Sequence, residues 1–373
     1  MSASLTAVSA KPHYDEVWTE TLTVPSQSGT DGNTNVSSVA EQTLITWSWE
    51  VMTWSWYTFC ELLIAVVGIT GNVLVIAVVF GRRSKSRGKC RSMDIFVGNL
   101  AIADFLTSIL LVPHPKVKSI PNSWTAAFFC KAVEGYYLIW TTITASIYSL
   151  VSVSVDRFVA VVYPIHYNRF INRRLVNLIV CLIWVVSCVF MVQNLSNNTT
   201  NAIVGKCVYQ RPPRNLQIFY GIHIFVVQFA FPTTLMLVTQ IAIARSLRRE
   251  AARFVTNEST ASFHNVARSR VITLTLTVVL IYFVCFTPDQ IAYMAYNLGL
   301  TPSYVRSPFA RVLTALVTCN SCVNPIVYTL RHPQFRKAVK DVFRNTSTRN
   351  TPIFEDLQSQ HRSEKIHPRT ERA

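Results

Sequence analysis

The chain has 373 residues; half of them are hydrophobic, 14% are charged, and the formal net charge is +16 at pH 7. This composition fits an integral membrane protein. The basic residues flank apolar segments and have no aromatic base-stacking surface beside them, which argues against nucleic-acid binding.

Residues 1–56 are predicted to be a disordered extracellular tail. The first 50 residues are polar, rich in serine and threonine, and mildly acidic, so they cannot bury a core. They lack an apolar stretch behind a basic start, and no cleavable signal peptide is expected. Asn35 opens the sequon Asn35-Val36-Ser37 and is a predicted glycosylation site.

Seven apolar segments follow, each close to the length of about 20 residues that a bilayer-crossing helix needs. They are 57–80, 93–113, 130–155, 175–193, 216–244, 270–296 and 309–330. The predicted fold class is therefore all-α, an integral membrane bundle of seven transmembrane helices over residues 57–330. Residues 331–344 are expected to form a short amphipathic eighth helix, and residues 345–373 a disordered cytoplasmic tail.

Short loops rich in lysine and arginine stay on the cytoplasmic side of a membrane. Such residues are concentrated in the loops 82–91, 161–174 and 245–270. We therefore expect a multi-pass plasma-membrane protein with an extracellular amino terminus and a cytoplasmic carboxyl terminus. Further sequons at Asn194, Asn197 and Asn198 fall in a predicted extracellular loop and agree with this orientation.

Asp104 is a carboxylate inside the second apolar segment. An ionisable residue at this depth is costly and almost always faces the interior of a bundle. Asp104 is either a protonated structural acid or part of a cation or proton site. Oxygen-bearing side chains in other segments favour a hard cation such as sodium. The available side chains are Asn72, Asn99, Ser146, Asn320, Ser321 and Asn324.

Two other polar features interrupt apolar segments. Asp156 and Arg157 close the third segment, where Arg157 is either a functional residue or an arginine that only marks the membrane interface. Pro288 lies in the sixth segment, and a proline there kinks a helix. The kink is either a pivot or static.

These motifs, in their order, resemble the rhodopsin-like G-protein-coupled receptors over about residues 57–344. The matching residues are Gly71-Asn72, Asn99 to Asp104, Asp156-Arg157-Phe158, Trp184, Pro232, Cys285-Phe286-Thr287-Pro288 and Asn324-Pro325-Ile326-Val327-Tyr328. The resemblance implies an outward ligand pocket and inward coupling to a heterotrimeric G protein. It also favours a disulfide between Cys130 and Cys207, which the residues alone leave open against two free thiols.

The resemblance implies roles for individual residues. Arg157 is released on activation to contact the G protein, Phe286 is a rotamer switch below the ligand, and Tyr328 swings inward. The implied coupling and switch residues are Asp156, Arg157, Phe286, Pro288, Asn324, Pro325 and Tyr328. The predicted sodium ligands, which resemble the sodium site of the family, are Asp104, Ser146, Asn320, Ser321 and Asn324. Apart from that allosteric ion no cofactor is expected.

Three positions depart from the family pattern. Phe286 stands where tryptophan is usual, Gln240 where helix 5 usually has a tyrosine, and Arg268 where some members have an acid. Arg157 therefore lacks a salt-bridge partner at position 268, and its resting restraint would fall to Asp156 alone. This predicts appreciable basal activity.

The ligand is constrained mainly by exclusion. Residues 312–330 hold no lysine for a retinal Schiff base. Amine receptors place an aspartate in the third helix, but the matching position here is Ile139 when counted from Arg157 or Tyr137 when counted from Cys130, and neither is acidic. The predicted pocket consists of Tyr136, Tyr137, Trp140, Gln228, Asp289, Gln290, Tyr293, Arg311, Thr314 and Thr318. Asp289 holds a cationic group of the ligand or pairs with Arg311. The pocket and a long outer loop at 194–217 resemble the neuropeptide-receptor branch.

The expected partners are an extracellular peptide, a heterotrimeric G protein, receptor kinases and arrestin at the tail, and membrane lipid. Lipid would meet the apolar face of the eighth helix, formed by Phe335, Val339, Val342 and Phe343, while Arg336, Lys337 and Lys340 meet headgroups. A constitutively active or ligandless receptor remains an alternative. A transporter or channel is disfavoured because no internal repeat is found, and no enzyme motif is present in the segments.

Overall fold

The computed structural model describes residues 46–81, 92–201, 205–253, 258–301, 304, 307–331 and 333–343, with the side chains of all of these except 81, 168, 250–272 and 274. In this part of the chain, seven helices are long and apolar enough to cross a membrane. They are Trp56–Phe80, Ser92–Leu110, Tyr137–Val162, Arg173–Ser196, Arg214–Arg249, Thr275–Asn297 and Pro308–Arg331. Asn35 and the tail after 344 lie outside the described residues.

The secondary structure of the described residues is almost entirely helical. The helices are α1 (Trp56–Gly81), α2 (Ser92–Leu110), α3 (Trp124–Phe128), α4 (Tyr137–Val162), α5 (Pro164–Phe170), α6 (Arg173–Phe190), α7 (Gln193–Ser196), α8 (Arg214–Phe225), α9 (Phe231–Arg253), α10 (Glu258–Asn297), α11 (Pro308–Arg331) and α12 (Pro333–Phe343). Short π-helical turns, Phe129–Val133 and Val226–Ala230, continue α3 and join α8 to α9. The strands are β1 (Ser48–Trp49), β2 (Val117–Ser119), β3 (Asn198–Asn201) and β4 (Lys206–Tyr209).

The third span differs from its predicted bounds of 130–155. Tyr136 has a left-handed backbone (φ 58°), which separates the π-helical turn from α4, so α4 begins at Tyr137. At its other end α4 continues past Asp156 and Arg157 to Val162. The charged pair does not end the helix because the two side chains neutralise each other and are both buried.

Proline and capping residues explain the other shifted bounds. The second span was predicted to reach 113, but α2 ends at Leu110, because a residue before a proline such as Pro113 disfavours the helical conformation. The fourth span begins earlier than predicted because the side chain of Asn172 caps α6 by accepting from the Leu175 N–H (2.9 Å).

The disulfide end of the bundle, which we define by Cys130 and Cys207, carries two small sheets. The two cysteines form a disulfide with a Cα–Cα distance of 5.4 Å. Strands β3 and β4 form a hairpin, and β1 pairs antiparallel with β2. The end of the segment predicted to be disordered, residues 1–56, is thus ordered from β1 onward, because its backbone pairs with β2 and Trp47 and Trp49 both contact Phe129.

Small residues and polar side chains join the spans. In lipid, apolar burial drives helices together only weakly, so close approach and hydrogen bonds matter more. A Cβ on Gly68 would collide with the side chain of Ser108 in α2, so glycine at this position lets the two helices approach closely. Asn99 donates to Ser149 (2.8 Å) and accepts from the indole of Trp184 (2.9 Å), which ties α2, α4 and α6 together.

Two prolines supply acceptors for contacts between helices. A proline lacks an N–H and leaves the carbonyl four residues earlier without its helical donor. Pro325 thereby frees the carbonyl of Ser321, which accepts from the Asn72 amide of α1 (3.0 Å). Pro232 frees the carbonyl of Gln228, which accepts from the Tyr282 hydroxyl of α10 (2.5 Å).

Helix α12 packs against the bundle through one of its predicted lipid-facing residues. Phe335 is fully buried and its ring lies 6.1 Å from that of Tyr328. The prediction that Phe335 faces lipid is therefore wrong: because α12 follows α11 almost directly, the first apolar side chain is carried under the bundle. Val342 and Phe343, further along, are exposed.

Candidate functional site

Asp104 lies at the centre of a polar network that joins three spans. Its side chain is fully buried. One carboxylate oxygen accepts from the Ser146 hydroxyl of α4 (2.7 Å), and the other accepts from the Asn324 amide of α11 (2.8 Å). Both partners belong to the predicted ligand set. Ser321 and Asn320 are buried on the same helix as Asn324.

The chemistry of this cluster fits a small hard cation. Its side chains offer carboxylate, hydroxyl and amide oxygens, the donors that such ions prefer. The side-chain oxygen of Asn320 is buried and has no hydrogen-bond partner, although such oxygens are nearly always satisfied. A sodium ion would be held by Asp104 with neighbouring neutral oxygens, which include those of Ser146 and Ser321.

Asp156 and Arg157 form the second polar cluster, at the end of the bundle that we call the Arg157 end. The Arg157 guanidinium donates to Asp156 (2.7 Å), and both side chains are about 95% buried. Asp156 also accepts from the Ser92 hydroxyl of α2 (2.6 Å) and the Tyr167 hydroxyl of α5 (3.2 Å). Burial raises the pKa of Tyr167, so its hydroxyl remains protonated.

Phe286, in the predicted switch position, contacts a chain of buried residues that crosses the bundle. Its ring lies 4.6 Å from that of Tyr282, whose hydroxyl donates to the freed carbonyl of Gln228. The Gln228 amide donates to the Thr144 hydroxyl of α4 (2.8 Å). Gln228 is fully buried; it joins α10 to α4 beneath the disulfide end instead of lining an open pocket. Pro288 lies within α10, two residues after Phe286.

Tyr328 and Gln240 mark the buried interior nearer the Arg157 end. Tyr328 borders an apolar cavity of about 10 Å³ together with Leu150 and Val278, which is room for about one water molecule. Gln240 is 5% exposed, and neither its amide nitrogen nor its oxygen has a hydrogen-bond partner. Arg268 lies outside the described side chains.

Asp289 forms the third cluster, towards the disulfide end. It is 2% exposed, and one carboxylate oxygen accepts from the Tyr304 hydroxyl (2.5 Å). The other oxygen has a long contact to the Gln290 amide (3.4 Å). The alternative pairing with Arg311 is not formed: the guanidinium of Arg311 instead lies 4.8 Å from the ring centre of Tyr57.

The other predicted pocket residues are not all in one place. Tyr136 is exposed and Tyr137 donates to the Cys188 carbonyl of α6 (3.3 Å), towards the neighbouring helix. Tyr293 packs against Tyr304. Trp140 and Thr314 are half-buried, whereas Thr318 is buried.

Comparison with known proteins identifies the family. Residues 71–328 match the family described as 7 transmembrane receptor (rhodopsin family). The chain therefore belongs to the rhodopsin-like G-protein-coupled receptors, which are receptors and not enzymes, and the predicted family and fold class are confirmed. With seven apolar helices, such a receptor is a multi-pass membrane protein.

Individual relatives agree with this assignment. The chain is 31% identical to galanin receptor type 2 of Homo sapiens over 288 residues, which cover 75% of this chain and 70% of that receptor. It is 28% identical to the allatostatin-A receptor of Bombyx mori, with 75% and 77% of the two chains covered. It is 26% identical to neuropeptide receptor 15 of Caenorhabditis elegans, with 77% and 89% covered.

Sequence reasoning missed four residues of these clusters: Ser92, Tyr167, Tyr282 and Tyr304. Ser92 begins α2 and Tyr167 lies in the short helix α5; a hydroxyl at either place carries no sequence pattern that predicts a partner. Tyr282 lies six residues before Pro288 in an apolar run and looks like a packing residue. Tyr304 is separated from Asp289 by 15 residues and is brought to it only by the turn between α10 and α11.

Proposed function

We propose that this chain is a cell-surface receptor for an extracellular peptide and that it signals through heterotrimeric G proteins. Membership of the receptor family supports the signalling role, and the names of the galanin, allatostatin-A and neuropeptide relatives support a peptide ligand. The disulfide end would face outward, because Arg169, Arg173 and Arg174 lie at the opposite end and basic loops stay on the cytoplasmic side.

The observation that carries the proposal is the state of Arg157. This arginine is buried at the end of α4 and held by Asp156. Breaking such a pair costs free energy because each charge is otherwise left without its partner. A ligand that favours a second arrangement of the helices would release Arg157 to a G protein.

The test is G-protein dissociation in cells that express the chain and are challenged with a neuropeptide library. Arg157→Ala should abolish any response at equal surface expression. The control is Arg169→Ala, because Arg169 is exposed and lies over the ring of Phe170. A response that survives in Arg157→Ala would overturn the assigned role. Basal signalling that depends on Arg157, without any peptide response, would favour the ligandless alternative.

We further propose that the Asp104 cluster holds an allosteric sodium ion that stabilises the resting receptor. Its buried carboxylate and the unsatisfied Asn320 oxygen support this. No other cofactor is proposed.

The sequence at 346–370 contains serines and threonines that would suit receptor kinases and arrestin. The exposed Arg336, Lys337 and Lys340 of α12 would meet lipid headgroups.

A further inference from the structure

Asp289 is a buried carboxylate without a counter-charge. It lies eight residues before the end of α10, which corresponds to a depth of about 12 Å at 1.5 Å per residue. Among the described side chains no lysine, arginine or histidine lies within ion-pair distance of it. An anion buried at this depth without a cation is unfavourable and marks a functional site.

The basic residues near Asp289 are occupied elsewhere. Arg311 lies over the ring of Tyr57. Arg214 donates to the carbonyls of Asn297 (3.1 Å) and Leu298 (2.7 Å) at the end of α10. Arg211 donates to the Tyr296 hydroxyl (3.4 Å). The protein therefore supplies no internal cation from these positions.

A second unsatisfied atom lies beside the carboxylate. Gln290 is 1% exposed, its amide nitrogen lies 3.4 Å from Asp289, and its side-chain oxygen has no partner. The weakly bonded carboxylate oxygen of Asp289 and the amide oxygen of Gln290 can together accept hydrogen bonds from several N–H groups. An ammonium or guanidinium group provides donors in that number, and a guanidinium presents them as a planar fork.

Among the described side chains, the strong contact to Asp289 comes from Tyr304, in the connection between α10 and α11. Burial and the Asp289 carboxylate raise the pKa of Tyr304, so its hydroxyl stays protonated and donates to the carboxylate. The rings of Tyr293 and Tyr296 pack against Tyr304 and hold it there. Tyr304 thus fills the position that a ligand donor would take.

We propose that Asp289 and Gln290 form the subsite for a cationic group of the ligand, an arginine or lysine side chain or a free amine, and that Tyr304 is an internal cap which this group displaces. The proposal rests on the proposed function and gives the ligand a chemical class. Replacing the tyrosine hydroxyl by a cation gives the buried carboxylate a donor of opposite charge, so a Coulombic attraction is added to the hydrogen bond.

The test measures binding to the purified full-length receptor in micelles by its thermal unfolding. The probes are N-acetyl-arginine amide and N-acetyl-citrulline amide, which have nearly the same shape but differ in charge. The arginine probe should raise the melting temperature of the wild type more than the citrulline probe does. Tyr304→Phe should bind the arginine probe several-fold more tightly, since the competing hydroxyl is gone. Asp289→Asn should bind it at least tenfold more weakly.

The control is Glu61→Gln, which removes a half-buried acid from α1 and should leave the affinity for the arginine probe unchanged. Equal stabilisation by both probes in both the wild type and Tyr304→Phe would overturn the proposal, even if Asp289→Asn does not fold. If Tyr304→Phe only lowers stability without changing affinity, the cap is structural and the proposal also fails. Because no G protein takes part in this binding experiment, a negative result leaves the proposed signalling function unaffected. Likewise, a failure of the G-protein experiment would leave the result for the cation subsite unaffected.

Discussion

At the scale of single residues, buried polar atoms separate the functional positions from packing. Asp104, Asp289 and Arg157 are all buried, but each has a different set of partners. Asp104 accepts two interhelical hydrogen bonds, Arg157 has Asp156, and Asp289 has a tyrosine hydroxyl. The group that we propose for each site differs accordingly: a small cation for Asp104, a G protein for Arg157 and a cationic ligand for Asp289.

Asp104→Asn should abolish stabilisation of the receptor by sodium. A ligand that binds only the folded state stabilises it by mass action, by about 1.4 kcal/mol when its concentration is tenfold its dissociation constant. The melting temperature of the purified wild type should therefore rise in sodium chloride compared with choline chloride at equal ionic strength.

The matched control for this experiment is Asp289→Asn, which removes a buried carboxylate from another cluster and should keep the sodium effect. If the sodium effect persists in Asp104→Asn, the ion is bound elsewhere.

Gln240→Met should stabilise the resting receptor. Both polar atoms of Gln240 are buried without a partner, and such a group costs about 1–3 kcal/mol, which an apolar side chain of similar shape recovers. The variant should raise the melting temperature. Gln228→Met provides the comparison and should lower it, because Gln228 donates to Thr144. A lower melting temperature in Gln240→Met would show that its amide is satisfied by water.

The positions of these residues were largely predictable, and so were the partners of Asp104 and Arg157, but the hydroxyls that contact Asp289 and Asp156 were not. Charges and prolines inside apolar segments are conspicuous, since each is expensive in a membrane. The partner of a buried carboxylate can be any hydroxyl that the fold brings near, and a tyrosine such as Tyr304 or Tyr167 is ordinary in sequence. Gln240 was noticed only as a departure from the family, and its lack of partners required the structure.

At the scale of elements, helix α5, which connects α4 to α6, helps to restrain the pair of Asp156 and Arg157, and the sequence did not indicate this restraint. Asp156 was expected to hold Arg157 alone. In the structure Asp156 is itself fixed by Ser92 of α2 and Tyr167 of α5, whose two hydroxyls also lie 2.6 Å apart. Three elements therefore have to separate before the pair is free. Appreciable basal activity remains a prediction, and the hydroxyls of Ser92 and Tyr167 are the contacts that would limit it.

Tyr167→Phe and Ser92→Ala should each raise basal G-protein signalling. Each substitution removes a hydrogen bond to a charged group, which is worth about 1.5–3 kcal/mol. Every 1.4 kcal/mol of stabilisation that is lost only in the resting state shifts the equilibrium between resting and active receptor about tenfold towards the active state. Dissociation of a G protein in unstimulated cells, normalised to surface expression, measures the change. Tyr163→Phe is the control, because Tyr163 is exposed at the same end. Unchanged basal signalling in both variants would show that the network does not restrain Arg157.

Phe335→Ala should destabilise the receptor by about 3–5 kcal/mol, the usual cost of removing a buried phenylalanine ring. Phe335 is fully buried against Tyr328, whereas Phe343 on the same helix is 78% exposed. Phe343→Ala should therefore leave the melting temperature in micelles nearly unchanged. Equal effects of the two substitutions would mean that α12 does not dock through Phe335.

At the scale of the whole molecule, the seven spans follow from hydrophobicity, whereas their ends depend on local chemistry. Length and apolar composition predicted all seven helices, but α4 is displaced by about two turns. Its beginning is fixed by the left-handed Tyr136 and its end by the neutralised pair of Asp156 and Arg157, neither of which a hydropathy pattern contains. Strand β1 was missed for a similar reason, since its pairing with β2 is a contact over about 70 residues of chain.

The orientation of the whole chain can be tested through its glycans, and the structure distinguishes between the overlapping sequons. Asn198 lies in β3, is 6% exposed, and its amide contacts the Asn194 carbonyl (3.4 Å). Asn194 and Asn197 are half-buried and more accessible. With the disulfide end outside the cell, Asn194→Gln and Asn197→Gln should each remove one glycan while the glycan at the other site remains. Asn198→Gln should remove none.

Mobility on a denaturing gel, before and after enzymatic removal of N-linked glycans, measures the number of occupied sites in each variant. Asn257, in the sequon on the basic side, serves as the internal control, and Asn257→Gln should leave mobility unchanged. A glycan that depends on Asn257 would place the basic loops outside the cell. That result would reverse the orientation on which both the peptide site at the disulfide end and the G-protein site at Arg157 depend, because glycans are added only on the side that becomes extracellular.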